Sequence, residues 1–191
     1  MKSKNNLFPI SSFIITLLLS GCASAPSHLI VAPEIMAPSA IQHVNKQATL
    51  NVVDMRTANH IVQILRKNEA ATLFSAQERL EDIINNSLSK NWQKQGLAIQ
   101  ASAINTFNIA IEKAVISVTQ ETLRYQVQTE IILKVTINNS LQTLTSTFKN
   151  RGNSKGPFKA DIAVLERNFN QRLANLLQQI LANEKINHFL K

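Results

Sequence analysis

The sequence predicts an α+β domain, a two-layer sandwich in which two amphipathic helices cover one face of a mainly antiparallel sheet. Residues 123–137 alternate between apolar and polar side chains, which is typical of a strand with one buried face. In that strand Leu133 is expected to face the core and Lys134 the solvent. Apolar residues recur at helical spacing over 76–95 and again over 162–181.

The first half of the predicted domain consists of short elements. The apolar pattern predicts a strand at 48–54, a hairpin or two short strands at 60–74, a helix at 76–95 and a strand at 97–101. Ser75 followed by Glu78 is a capping-box sequence, so the helix is expected to begin at Ala76. Gly96 suits the left-handed conformation that ends many helices.

The region 107–150 predicts a three-stranded antiparallel meander. The parity of the apolar positions changes near Glu112–Lys113, which indicates one extra residue and therefore a β-bulge. A four-residue connection at 119–122 sets Ile116 opposite Tyr125.

A two-residue type I′ turn at Asn138–Asn139 is predicted to join the second and third strands of this meander. That turn sets Leu133 opposite Leu144 and Thr129 opposite Phe148. Both apolar partners then lie on the buried face.

The second helix follows Asp161, whose carboxylate is expected to cap it. Its apolar residues form one stripe that should cover the sheet beside the first helix. The stripe comprises Ile162, Leu165, Phe169, Leu173, Leu176, Leu177, Ile180 and Leu181.

The first 21 residues are interpreted as a cleaved lipoprotein signal peptide. Lys2 and Lys4 precede an apolar run, residues 7–19, that is too short to span a bilayer. The run ends in Leu19-Ser20-Gly21-Cys22, which resembles the bacterial lipobox, so cleavage is expected between Gly21 and Cys22 and acylation on Cys22. This is the sole cysteine of the chain, and its acylation excludes an intrachain disulfide.

Residues 22–47 are predicted to form the lipidated N-terminus and a tether, because Pro26, Pro33 and Pro38 disfavour regular structure. The apolar Leu29-Ile30-Val31 leaves open that part of this segment lies extended against the domain, which is predicted to occupy 48–191. Ala23 follows the cysteine where an Asp would favour inner-membrane retention. The outer membrane, on its periplasmic side, is therefore the expected location.

The charge balance favours anionic partners. Without Lys2 and Lys4, the remaining basic residues exceed the 12 acidic ones by six. Such a surplus favours lipid headgroups or cell-wall polymers, and export argues against nucleic acid. Four basic residues are concentrated in a predicted exposed loop; they are Lys149, Arg151, Lys155 and Lys159. This loop is either simply solvated or in contact with anionic lipid or cell-wall polymer.

The chain offers no pattern that predicts catalysis, a metal site or a cofactor. The four histidines lack metal-ligand spacing; they are His28, His43, His60 and His188. The sequence also has no glycine-rich phosphate loop. Negative charge at the start of a helix interacts favourably with the helix dipole. This role is expected for Glu78, Glu81 and Asp82, rather than acid–base catalysis. Asp54 and Arg56 are interpreted as a local ion pair, with ligand binding as the alternative.

Six features follow one another along the chain: the lipobox, the apolar segment 29–35, the strand ending in Asp54-Met55-Arg56, the capped helix, the meander and the C-terminal Ile186-Asn187-His188-Phe189-Leu190-Lys191. Together they resemble YajG-type lipoproteins over nearly the whole chain. The resemblance implies an outer-membrane lipoprotein and supplies no catalytic residues.

Two classes of function follow from the sequence. The favoured one is a non-catalytic binding or structural accessory that contacts an envelope protein or cell-wall polymer. The alternative is a cell-wall-active or lipid-active enzyme whose site residues are dispersed. An enzyme should show titratable groups that converge in a deep pocket, whereas an accessory should show a shallow patch or a sheet edge.

Overall fold

A computed structural model of the chain describes residues 28–36 and 41–190. These residues form eight strands and three helices. The strands are β1 (His28–Leu29), β2 (Gln47–Asp54), β3 (His60–Arg66), β4 (Thr72–Ala76), β5 (Ala98–Ile99), β6 (Asn105–Gln120), β7 (Arg124–Asn138) and β8 (Thr143–Pro157). The helices are α1 (Leu80–Lys94), α2 (Ile162–Leu181) and α3 (Glu184–Phe189).

The strands form one mixed sheet, and the class is α+β as predicted. Strands β6, β7 and β8 form the expected antiparallel meander. On its other edge β6 pairs in parallel with β2 over residues 105–111 and with β3 over 116–120. Four of the seven strand pairings are parallel, so the sheet is mixed, although most of its paired residues lie in the antiparallel pairings that the sequence predicted. Side-chain alternation is the same in both kinds of pairing and cannot distinguish them.

The β7–β8 hairpin has the predicted faces but a different register. Leu133 lies opposite Phe148 rather than Leu144. The turn is longer than predicted because the side-chain oxygen of Asn139 accepts hydrogen bonds from the backbone N–H groups two and three residues further on, both at 2.9 Å. The register differs by four residues, an even number, so Leu133 still faces the core.

The β6–β7 hairpin differs from the prediction in the same way. Ile116 lies opposite Thr129 rather than Tyr125, and Thr129 lies opposite Gly152 on β8 instead of the predicted phenylalanine. The bulge predicted at Glu112–Lys113 is present, since the β6–β7 register shifts there. The even-numbered error again preserves the buried face.

Helix α1 begins later than its capping-box sequence predicts. Ser75 and Ala76 belong to β4, where they pair with β1, and Ser75 also pairs with β3. The helix starts at Leu80 after Arg79, whose side chain makes no capping hydrogen bond. Pairing within the sheet thus outweighs the local capping signal. The predicted stop at Gly96 is confirmed by its φ of 90°.

Helix α2 is capped as predicted, because the Asp161 carboxylate accepts a 2.8 Å hydrogen bond from the backbone N of Ala163. Its apolar stripe packs into a core shared with α1 and the sheet. Within that core the Trp92 ring contacts Phe107, with 4.5 Å between centroids. Leu133 is fully buried while Lys134 is exposed, so the assignment of faces in β7 is confirmed.

Part of the predicted tether, residues 28–36, lies extended against the domain. Leu29 is only 1% exposed. The backbone N of Ile30 donates to the Glu166 carboxylate at 2.8 Å, and that of Ala32 donates to the Asn170 side-chain oxygen at 3.0 Å. The Asn170 amide in turn donates to the Ile30 carbonyl at 2.9 Å. One face of α2 therefore holds this segment as a neighbouring strand would.

Candidate binding surface

The side of β6–β8 turned away from the core carries a group of cations, here called the basic face. Residues alternate along each strand, so those next to core positions point outward. Apart from Arg124, which pairs with Glu121 at the start of β7, five basic side chains point this way; the carboxylate Glu130 lies among them, and a second one, Glu112, is exposed at the β6 bulge. The cations are Lys113 on β6, Lys134 on β7, and Lys149, Arg151 and Lys155 on β8.

The prediction that Lys149, Arg151 and Lys155 lie on a loop is wrong, because β8 continues to Pro157. The glycines that suggested a loop instead allow close packing on a strand. A Cβ at Gly152 would overlap the Arg172 guanidinium, and one at Gly156 the ring of Tyr125.

Lys159 does not share the basic face. It follows β8 in the connection to α2, beside Phe158. The backbone N of Phe158 donates to the Leu123 carbonyl at 2.9 Å, which attaches the connection to the β6–β7 turn. The structure therefore groups three of the four predicted basic residues and leaves the fourth apart.

Glu130 links the three strands of the basic face. It forms ion pairs with Lys113 on β6 and with Arg151 on β8, both at 2.5 Å. Hydrogen bonds from the Lys113 and then the Arg151 side chain lower the pKa of Glu130 below its usual value. One carboxylate thus neutralises part of the charge of two cations.

The remaining cations of the basic face have no such partner. Lys134, Lys149 and Lys155 are exposed and form no ion pair with any residue that the structure describes. Their charge is therefore available to an anionic ligand. Sequence reasoning missed Lys113 and Lys134 as members of this group, although the alternation that places Lys134 on the solvent side was visible.

Asp54 and Arg56 form the predicted local ion pair rather than an open site. Their side chains are 14% and 8% exposed and lie 2.7 Å apart. Arg56 also donates to the carbonyls of His60 at 3.3 Å and Ala114 at 3.1 Å. Burial acts to raise the pKa of Asp54, but hydrogen bonds from the side chain and backbone of Arg56 outweigh it and lower the pKa. The pair joins the end of β2 to the start of β3 and to the β6 bulge.

The other predicted site residues are separate from the basic face. Gly21 and Cys22 lie outside the described residues. Glu81 and Asp82 begin α1 and pair with Arg79. Across residues 28–36 and 41–190, no three His, Cys, Asp or Glu side chains gather in a way that could hold a metal ion. No helix in these two ranges has the length and apolar character needed to cross a bilayer.

The fold places the chain among small α+β proteins with a curled, mixed sheet and two long helices. The crystal structure of protein XCC0632 from Xanthomonas campestris is similar, with a TM-score of 0.63 and 12% sequence identity. The match covers 86% of this chain and 97% of that one. At this identity the likeness shows the shared fold.

The class to which this chain belongs is that of the lipoproteins. A family model described as "Uncharacterized lipoprotein" matches residues 33–191. Two curated relatives, from Escherichia coli strains K12 and O6:H1, are both named uncharacterized lipoprotein YajG. Each is 23% identical over 191 residues, which cover 98% of this chain and 97% of the relative. The chain belongs to the YajG family of lipoproteins, as its sequence resemblance predicted.

Proposed function

We propose that this lipoprotein is a non-catalytic binding accessory, anchored through lipid on Cys22 at the periplasmic side of the outer membrane, and that its basic face binds an anionic cell-wall polymer. The basic face is the single observation that carries this proposal. It presents five cations around Glu130, with a second carboxylate, Glu112, exposed at the β6 bulge, on a solvent-exposed surface built from three long strands.

The three unpaired lysines form a row suited to an extended polymer. Lys134 pairs with Thr147, which makes Lys149 its diagonal neighbour on β8. Lys155 lies further along the same strand, roughly 20 Å from Lys149 at about 3.3 Å per residue. Near an anionic surface each such cation contributes about 1 kcal/mol, so binding should be weak and salt-sensitive.

The anchor keeps the domain close to the membrane, since only residues 23–27 separate Cys22 from β1, a distance of at most about 20 Å. β1 and β8 lie at opposite ends of the path β1-β4-β3-β6-β7-β8, but both edges approach α2, the segment after β1 through Asn170 and β8 through Arg172. The choice of a cell-wall polymer over membrane lipid therefore rests on the extended row of lysines.

The test is sedimentation with purified cell wall at low and physiological salt. The chain from residue 22 onward, carrying Cys22→Ser, is compared with a variant that also has Ser at Lys134, Lys149 and Lys155. A control variant has Ser at three exposed helix lysines, Lys90, Lys94 and Lys185, and so has the same net charge.

We expect the unmodified basic face and the control variant to sediment with cell wall and the basic-face variant to lose most binding. Equal binding of the two triple variants would refute a specific role for the basic face. Stronger binding to anionic vesicles than to cell wall would point instead to lipid.

A further inference from the structure

A polar cleft of about 260 Å³ lies on the other side of β8, between this strand and α2. Its walls carry the amide side chains of Asn168, Gln171 and Asn175 from α2 and the hydroxyl of Ser154 from β8. Val127 and Leu165 contribute apolar surface. The described lining contains no Asp or Glu, and its one charged residue is an arginine, Arg172.

Arg172 is held in a fixed position in this cleft. Its Nη1 atom donates to the Asn150 side-chain oxygen at 2.9 Å and to the Arg151 carbonyl at 3.3 Å. Gly152 lies directly beneath the guanidinium, and any Cβ at that position would overlap it. A planar group fixed in this way loses little freedom when it binds an anion.

The pairing of Arg172 differs from that of most arginines in the described residues. Five of the seven form ion pairs with a carboxylate; they are Arg56, Arg66, Arg79, Arg124 and Arg151. Arg167 and Arg172 form none with any described residue, and only Arg172 lines the cleft. Its known partners are neutral oxygens bound to Nη1, so the guanidinium charge is not compensated there.

We propose that this cleft binds a sugar that carries an oxyanion, either a carboxylate or a phosphate, with the anion on Arg172. A guanidinium has donors that match the oxygens of both groups. The surrounding amides provide donors and acceptors for hydroxyl groups, and Val127 and Leu165 can contact the C–H face of a sugar ring. The site is on the core side of β8, so it is independent of the basic face.

One substitution separates binding from structure. Asn150→Asp keeps the side-chain oxygen that Arg172 contacts but makes it a carboxylate, which neutralises the guanidinium in place. Arg172→Gln removes the charge altogether and tests the same point should Asn150→Asp fail to fold. Arg167→Gln removes a cation from the same helix outside the cleft and is the matched control.

Binding is measured by NMR titration of the Cys22→Ser chain from residue 22 onward, with melting curves recorded for each variant. The probes are D-glucuronate, D-glucose 1-phosphate and neutral D-glucose. At least one anionic sugar should bind at least about tenfold more tightly than glucose, a difference of about 1.4 kcal/mol, because hydrogen bonds to charged groups are stronger than those between neutral groups. The anion that binds more tightly shows whether a carboxylated or a phosphorylated sugar is the preferred class.

In a folded Asn150→Asp or Arg172→Gln variant this preference should disappear, while Arg167→Gln should bind as the unsubstituted chain does. The proposal is overturned if neither anionic sugar binds, if glucose binds equally well, or if folded cleft variants keep the preference. A loss of cell-wall sedimentation in the basic-face variant would not affect this result, so the two proposals fail separately.

Discussion

Replacing Arg56 by Met should destabilise the junction between β2, β3 and β6. In the folded chain the Arg56 guanidinium contacts the Asp54 carboxylate at 2.7 Å and donates to the carbonyls of His60 and Ala114. Methionine fills similar space but has no donor and no charge. The substitution leaves a largely buried carboxylate without its cation and two carbonyls without that donor.

The expected cost is about 3 kcal/mol, at the lower end of the range for breaking a buried ion pair, because both side chains retain slight exposure. A urea m-value of about 2 kcal/mol/M converts this into a midpoint lower by roughly 1.5 M. Replacing Asp54 by Asn in addition should recover part of the loss, since no buried charge is then left unpaired.

Urea unfolding at pH 7 and near pH 3 checks this reasoning. The paired Asp54 has a lowered pKa, so the stability it contributes is present above its unfolded-state pKa and is lost as pH falls through its folded-state pKa. Without Arg56, burial raises the pKa of the Asp54 carboxyl against only the weaker opposing charge of Arg79, so the variant's deficit should shrink on acidification. A loss under 0.5 kcal/mol at pH 7, or a deficit that grows in acid, would refute the account.

Three further results are expected. Leu133→Ala should cost about 2–5 kcal/mol in urea unfolding because it empties a fully buried position, whereas Lys134→Ser should change stability by less than about 0.5 kcal/mol; equal losses would reject the assigned faces. Glu130→Gln should cost under about 1 kcal/mol at pH 7, and the difference should vanish as pH falls through the lowered pKa of Glu130, so a deficit that persists in acid would contradict its ionic origin. Cys22→Ser should abolish metabolic acyl labelling and release the protein from the membrane fraction, and continued labelling would exclude this anchor.

The strongest elements of the fold were predictable because their sequence patterns extend over many residues. The alternation in β7, the bulge in β6 and the stripe of α2 each follow from spacing alone. The capping signal at Ser75 failed because β1 and β3 compete for that backbone. The parallel pairing of β6 with β2 and β3 was not predictable, since its contacts join residues more than 50 positions apart.

The candidate binding surface was predictable only in part. Four basic residues were recognised because they are close in sequence, but Lys113 and Lys134 join them through pairing across three strands. The loop interpretation failed at Gly152 and Gly156, where glycine indicates close contact with Arg172 and Tyr125. The cleft around Arg172 depends on how α2 packs against β8, which no local pattern specifies.

The proposed function requires that an anionic cell-wall polymer binds on the basic face. NMR mapping of backbone amides during titration with soluble cell-wall fragments tests it most directly. We expect salt-sensitive shifts at Lys134, Lys149 and Lys155, with little change along α1. Shifts confined to the helices, or no shifts at low salt, would contradict it.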